Sequence, residues 1–163
     1  MSSIDIFVEN LNRIAKQYDL NTYREIANYL NVTEDALKRW KNKSRSPSLR
    51  KIDEIGDRLK CYSYSLLQRD GDLFVEIECV KNDSRNALLS NLREYFMQYG
   101  RFSWNDKAAL FYGFISEDVL KSYFRKENYK TPPLSRLDEM AEALGKPAYE
   151  LIKEVETDKK EDT

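Results

Sequence analysis

The chain contains no histidine among its 163 residues, and its only cysteines are Cys61 and Cys79. The lack of histidine excludes Ser-His-Asp and Cys-His catalytic arrangements and every metal site that needs a histidine ligand. Two cysteines that form no C-x-x-C pair are too few for a zinc site, so we expect ordinary reduced thiols of an intracellular protein. The sequence therefore predicts no metal, no cofactor and no enzymatic activity.

Glycine-rich loops, long apolar runs and an excess of one charge are also missing. The five glycines are scattered, and none belongs to a phosphate-binding loop. No stretch approaches the ~20 apolar residues of a membrane span, and the first residues lack the basic and apolar regions of a signal peptide. We therefore expect a cytoplasmic protein without a membrane partner. With a formal net charge of −1, affinity for nucleic acid would have to come from local basic patches.

The chain does contain an internal sequence repeat. Residues 33–40 read TEDALKRW, and residues 116–123 read SEDVLKSY. Upstream, the pattern that starts at Asn10 returns at Asn91, and downstream the pattern that starts at Pro47 returns at Pro132. Because the offset drifts along the chain, the extra residues are expected in loops. A repeat of this length predicts two copies of one small helical domain.

The spacing of apolar residues predicts an all-α fold with about five helices in each copy. Hydroxyl side chains are expected to cap helix starts at Thr22, Thr33 and Ser103, and the loop Ser46-Pro47-Ser48 is expected to cap a further helix. Asn31 stands where a helix end favours a left-handed residue. The predicted organisation is a first domain at 1–69, a connector at 70–83, a second domain at 84–154 and a charged, disordered tail at 155–163.

The connector contains an alternating segment at 73–80, with Leu73, Val75, Ile77 and Cys79 on one side. This alternation is typical of a short strand, which could pair with the same strand of a second protomer and form a homodimer. An extended apolar strap across both domains is the alternative that we favour slightly, and a helix is a third. The second domain is another candidate for the homodimer contact.

Two short helices with a tight turn between them, supported by flanking helices, are the content of a helix-turn-helix unit. Residues 23–67 resemble the Cro/C1-type DNA-binding domain, also called the lambda-repressor-like or XRE family. The positions that match the family pattern are Ala27, Asn31, Val32, Thr33, Leu37, Trp40 and Pro47. The chain departs from that pattern at Tyr23, Lys41 and Lys43, where the family usually has Gln, Glu and Gly. In the second copy, Ala109 and Gly113 keep the family spacing, with one residue added before Ser116.

The resemblance implies that the third helix of each copy enters a major groove of DNA. The residues that it places at base edges are Thr33, Glu34, Asp35, Lys38, Arg39 and Asn42 in the first copy and Ser116, Lys121, Ser122 and Arg125 in the second. The residues that it places at phosphates are Thr22, Tyr23, Lys43, Arg45, Ser48, Lys126 and Lys130. Between residues 38 and 60, nine Lys and Arg residues stand against three acidic ones, which suits phosphate contact.

Two carboxylates, Glu34 and Asp35, would face the DNA, and both return in the second copy. Carboxylates near phosphates are repelled unless each finds a cytosine amine. We favour a structural role for them, because acidic residues stabilise helix starts and can pair with Lys38 and Arg39 four residues later. Weak base specificity is the expected consequence.

Taken together, these features predict a sequence-preferring transcriptional regulator of repressor type, from a phage or another mobile element, with double-stranded DNA as its partner. The alternative is a protein-interaction module, such as an antirepressor, an anti-defence factor or an adaptor, with little DNA binding. The near-neutral charge and the aromatic residues Tyr112, Phe114 and Phe124 favour that alternative. A steep loss of DNA affinity with salt would distinguish the two.

Overall fold

The computed structural model describes residues 1–75, 77–78 and 80–154, so the predicted tail at 155–163 lies outside the described residues. These residues form ten helices and no strand, which confirms the all-α class. In chain order the helices are α1 (Ser3–Gln17), α2 (Tyr23–Leu30), α3 (Glu34–Lys41), α4 (Leu49–Leu59), α5 (Ser63–Leu66), α6 (Ser84–Gln98), α7 (Trp104–Ala109), α8 (Glu117–Tyr123), α9 (Leu134–Leu144) and α10 (Ala148–Leu151). Within the part of the chain described, none of these helices is long and apolar enough for a membrane crossing.

The last five helices match the first five in order and closely in length. Helices α1 and α6 each have 15 residues, α4 and α9 each have 11, and α5 and α10 each have 4. The largest difference is between α2, with 8 residues, and α7, with 6. We call residues 3–66 the first repeat and residues 84–151 the second repeat.

The predicted caps at Thr22, Thr33 and Ser103 are present, Ser48 is the capping residue of its predicted loop, and Ser116 caps α8 as well. Each of these five side chains accepts a hydrogen bond, at 3.0 to 3.2 Å, from the backbone N–H three residues later. Asn31 ends α2 with a left-handed φ of 57°, as predicted. These interactions involve residues within one turn of each other, so local sequence is enough to specify them.

The two repeats diverge at the turn between their second and third helices. Ala108 is buried as Ala27 is, whereas Ala109 is exposed, so Ala108 occupies the position that corresponds to Ala27. The predicted alignment through Ala109 is therefore wrong by one residue. The second repeat carries two additional residues in this turn, Gly113 and Phe114, and Gly113 adopts a left-handed φ of 83°.

The repeats pack against each other through contacts that occur in both directions. Helix α1 lies against α9, and α6 lies against α4, the helix that corresponds to α9. At the first contact, Ser3 donates from its backbone N–H, at 3.0 Å, and from its hydroxyl to the carboxylate of Asp138. At the second, Ser84 donates to Asp53 from N–H at 3.0 Å and from Oγ at 2.5 Å. This reciprocity is the pattern of a two-fold symmetric interface, here formed within one chain.

Inside each repeat, one buried asparagine donates hydrogen bonds to the carbonyl oxygens at the end of the last helix. The Nδ2 of Asn10 lies 2.8 to 3.3 Å from three carbonyl oxygens at and after the end of α5. The Nδ2 of Asn91 lies 2.9 to 3.3 Å from three carbonyl oxygens at and after the end of α10. Buried carbonyls at a helix end require such donors. Around these contacts, apolar side chains of both repeats form one continuous core.

For the connector at 73–80, the structure contradicts the strand and the helix interpretations. Its described residues form neither a strand nor a helix, so no described strand is present for a dimer seam. Leu73 is buried, but Val75 is 57% exposed, which breaks the predicted apolar side. Ile77 donates its N–H to the carbonyl of Lys60 at 3.0 Å. The extended apolar strap stays a prediction, because Val75 is exposed and Glu76 and Cys79 lie outside the described residues.

Candidate nucleic-acid interface

Helix α3 presents one polar face to the outside. Leu37 and Trp40 are buried, and the Trp40 ring meets the Phe7 ring of α1 edge-on at 5.6 Å. This anchoring leaves the predicted base-reading residues on the opposite side, where Thr33, Glu34, Asp35, Lys38 and Asn42 are exposed and Arg39 is half-buried. All six predicted residues of the first copy therefore lie at or near the surface of α3 and its cap.

Of the two ion pairs expected along α3, the described side chains form one. Arg39 Nε lies 3.0 Å from an oxygen of Asp35, whereas the Lys38 ammonium lies 5.8 Å from the ring centroid of Tyr23 rather than beside Glu34. Exposed pairs contribute little free energy, so the guanidinium of Arg39 can exchange Asp35 for another acceptor.

A second lysine joins Lys38 at the same ring. The ammonium of Lys41 lies 5.1 Å from the centroid of Tyr23, the first residue of α2. We call Tyr23, Lys38 and Lys41 the tyrosine–lysine cluster. Cations are attracted to the face of an aromatic ring, and partial burial lowers the pKa of the Lys41 ammonium. The cluster concentrates positive charge beside the polar face of α3, where a phosphate could bind.

Lys41 was missing from the predicted contact residues. The signal was present in the sequence, because Lys41 is one of the three departures from the Cro/C1 pattern and replaces an acid with a base. Sequence reasoning could not place it, since Lys41 follows the buried Trp40 and its direction depends on how α3 packs against α2.

The loop after α3 holds the other predicted phosphate residues of the first copy. Arg45 and Ser48 are exposed. Lys43 adopts a left-handed φ of 62°, which explains why a glycine suits this position. Its ammonium forms an ion pair with the carboxylate of Asp5 on α1. Lys43 is therefore at the predicted surface but is already paired.

In the second repeat, the predicted residues are only partly brought together. Ser116 caps α8, and Lys121 pairs with Glu117 at 3.1 Å. Arg125, Lys126 and Lys130 are exposed, as predicted. The prediction for Ser122 is wrong, because its side chain is 4% exposed and its hydroxyl donates to the carbonyl of Val119 at 2.5 Å. The longer loop after α8 covers it, as the N–H of Lys130 donates to the carbonyl of Ser122 at 3.1 Å.

The counterpart of the tyrosine–lysine cluster is aromatic. Trp104 stands in the place of Tyr23, and Phe124 stands in the place of Lys41, with their ring centroids 5.3 Å apart. Lys107 lies 4.4 Å from the Trp104 centroid, and Arg93 lies 5.3 Å from that of Phe124. Phe124 therefore packs within the second repeat, while Tyr112 remains 76% exposed on the α7–α8 turn.

The loop after α8 is held from α6 by Arg85. Its Nη2 donates to the carbonyls of Tyr123 at 3.0 Å and Arg125 at 2.6 Å, and its guanidinium lies 3.5 Å from the ring centroid of Tyr129. Both repeats thus tie this loop to the start of their first helix, with an acid in the first repeat and a base in the second.

The described residues contain no cluster of three or more side chains suited to a metal ion. Cys61 is buried and forms no disulfide, and its burial raises the pKa of the thiol to about 12. Such a thiol stays protonated and unreactive at neutral pH.

The chain was compared with protein families, curated proteins and solved structures. No protein-family model, curated protein or solved structure matches the chain.

Proposed function

We propose that this protein is a sequence-preferring, double-stranded DNA-binding regulator of repressor type, built from two tandem Cro/C1-like helix-turn-helix domains. The observation that carries the proposal is the α2–α3 unit, in which the exposed polar face of α3 borders the tyrosine–lysine cluster. A helix of this kind reads bases with its N-terminal part, while neighbouring cations hold the phosphates.

The contacts favour different tasks for the cations of this face. Lys38 and Lys41 share one ring at the edge of the face, which favours phosphate contact for both. Arg39 is the better candidate for a guanine, because a guanidinium can donate two hydrogen bonds to its O6 and N7 atoms. Arg39 would leave Asp35 for that contact.

The arrangement of the repeats supports the use of both domains on one duplex. The reciprocal contacts between the repeats have the pattern of a two-fold interface, and proteins of the helix-turn-helix type read two half-sites through such symmetry. On α8 itself the predicted base-reading residues offer less than those on α3, because Ser122 is buried and Lys121 is paired with Glu117. We therefore expect a strong half-site for the first repeat and a weaker one for the second.

The experiment is selection of bound duplexes from a random pool at low and at physiological salt, followed by sequencing. Two enriched half-sites of unequal information would support the proposal, and one half-site would restrict DNA binding to the first repeat. A phosphate-binding protein must lose affinity steeply with salt. Absence of enrichment together with absence of salt-sensitive retention would overturn the proposed function.

A second candidate function is protein interaction in the cytoplasm, as an antirepressor, an anti-defence factor or an adaptor. The exposed aromatic side chains of the second repeat favour it, since Phe102 is 75% exposed and Phe114 and Tyr112 are exposed on the α7–α8 turn. Exposed apolar groups that lie together commonly mark protein contacts. The same selection separates the two functions, because an adaptor retains no duplex at either salt concentration.

A further inference from the structure

The carboxylate of Asp5 has two partners, one for each oxygen. Its Oδ2 accepts hydrogen bonds from Ser2, at 3.1 Å from the backbone N–H and 2.6 Å from the hydroxyl, and so completes the capping box that starts α1. Its Oδ1 faces the ammonium of Lys43 in the loop after α3. One acidic side chain therefore joins the helix cap to the edge of the candidate interface.

This pair occupies a cation that the proposed function assigns to a phosphate. The Lys43 hydrogen bond, followed by those from Ser2, holds the pKa of Asp5 well below its usual range. The carboxylate consequently stays ionised at any pH at which the protein would be used. A duplex phosphate that binds Lys43 must displace it, and the net gain is smaller than for a free lysine.

The second repeat lacks this competition. Its equivalent loop is held by Arg85, which donates to the backbone carbonyls of Tyr123 and Arg125. That arrangement holds the loop through its backbone carbonyls rather than through an ion pair with one of its lysines. The difference shows that an acid is not required for tethering the loop to the first helix of a repeat.

We propose that Asp5 limits the affinity of the first repeat for duplex DNA by competing with a backbone phosphate for Lys43. The inference rests on the proposed function. Because Asp5 is not among the predicted base-reading residues, we expect it to lower affinity for all sequences alike and to leave the preferred sequence unchanged.

The test compares Asp5→Asn with the wild-type protein in duplex binding at several salt concentrations. Asparagine keeps the size of the side chain and still accepts from Ser2, so the α1 cap is preserved, and a thermal melt verifies this. We expect affinity to rise about three- to tenfold at low salt and the salt slope to steepen by roughly 0.9, the value for one additional phosphate contact. Glu9→Gln, which removes one exposed carboxylate from the same helix, is the matched control and should change affinity less than about twofold.

Two further variants attribute the effect to Lys43. In a Lys43→Ala background, Asp5→Asn should give no gain beyond that of Glu9→Gln. Equivalently, Lys43→Ala should weaken the Asp5→Asn protein more than the wild-type protein, since the four proteins form one double-mutant cycle, and thermal melts of all four identify any destabilised variant.

The outcomes separate the inference from the function on which it rests. If the wild-type protein binds with steep salt dependence and Asp5→Asn behaves like Glu9→Gln, the inference is wrong and the proposed function stands. A gain that persists in the Lys43→Ala background also overturns it. If the wild-type protein retains no duplex, both the function and the inference fail.

Discussion

The two repeats share their internal polar contacts, which we call the frame: the serine–aspartate contacts between repeats and the buried asparagines within them. They differ on their outer faces. At corresponding positions, the first repeat has Tyr23 and Lys41, and the second has Trp104 and Phe124. A ring that holds two ammonium groups in one repeat is thus covered by a second ring in the other. The same helix arrangement therefore carries two different surfaces: two lysines meet at one ring in the first repeat, whereas two rings pack together in the second, each with one cation nearby.

The inner contacts show the opposite behaviour. The serine–aspartate contacts between repeats and the buried asparagines within them occur twice with the same donors and acceptors. These groups are buried or half-buried, and an unpaired polar group there is costly. The frame therefore tolerates little change, whereas the solvent-exposed surface can vary between the repeats.

The largest expected effect tests the shared frame. Asn10→Ala and Asn91→Ala each leave three carbonyls at a helix end without a side-chain donor, so each variant should lower the free energy of unfolding by about 3 kcal/mol. Urea denaturation measures both, and exposed Asn12→Ala on α1 should change stability by less than about 0.5 kcal/mol. A clear inequality between the two buried sites would break the equivalence of the repeats.

The next effect tests the difference between the outer faces. The double variant Lys38→Ala and Lys41→Ala should weaken duplex binding by about 30-fold, or about 2 kcal/mol, because it removes two proposed phosphate contacts. The matched variant Lys107→Ala and Lys121→Ala removes the same charge from the second repeat and should cost less than about fivefold. Fluorescence anisotropy at two salt concentrations measures both. Equal losses would mean that the aromatic replacement in the second repeat has no consequence for binding.

The smallest effect is a pH dependence at one of the two inter-repeat contacts. Burial raises the pKa of Asp53, although hydrogen bonds from Ser84 and Ser63 oppose the rise. As pH falls, the carboxylate of Asp53 therefore takes up a proton at a higher pH in the folded protein than in the unfolded chain. The stability that this proton uptake contributes is fully present below the ordinary pKa of 3.8 and is lost as pH rises through the raised pKa. We expect the stability of the wild-type protein relative to Asp53→Asn to increase from pH 7 to pH 4. Denaturation at both pH values measures it, and a constant difference would contradict the expectation.

Local sequence predicted much of the helix capping. The hydroxyl caps and the left-handed Asn31 were predictable because each depends on residues within about one turn. The buried asparagines also left a signal, since Asn10 and Asn91 are equivalent polar residues on otherwise apolar helix faces. The repeat identifies them, although their partners become known only from the packing of α5 and α10.

Contacts between distant segments could not be predicted. Ser3 and Asp138 are 135 residues apart, and no periodicity links them. The burial of Ser122 depends on the path of the longer loop after α8, and the direction of Lys41 depends on α2. Spacing along a helix shows which face a residue occupies, but it does not show whether a loop will cover that face.

The reciprocal serine–aspartate contacts have a consequence for how this protein can change. In a symmetric dimer, every substitution appears at two places, and the subunits separate on dilution. Here the equivalent surfaces are encoded separately, so one can be altered while the other is kept, and the linkage holds them together at any concentration. Each chain therefore carries both of these surfaces, and one can diverge from the other by substitution.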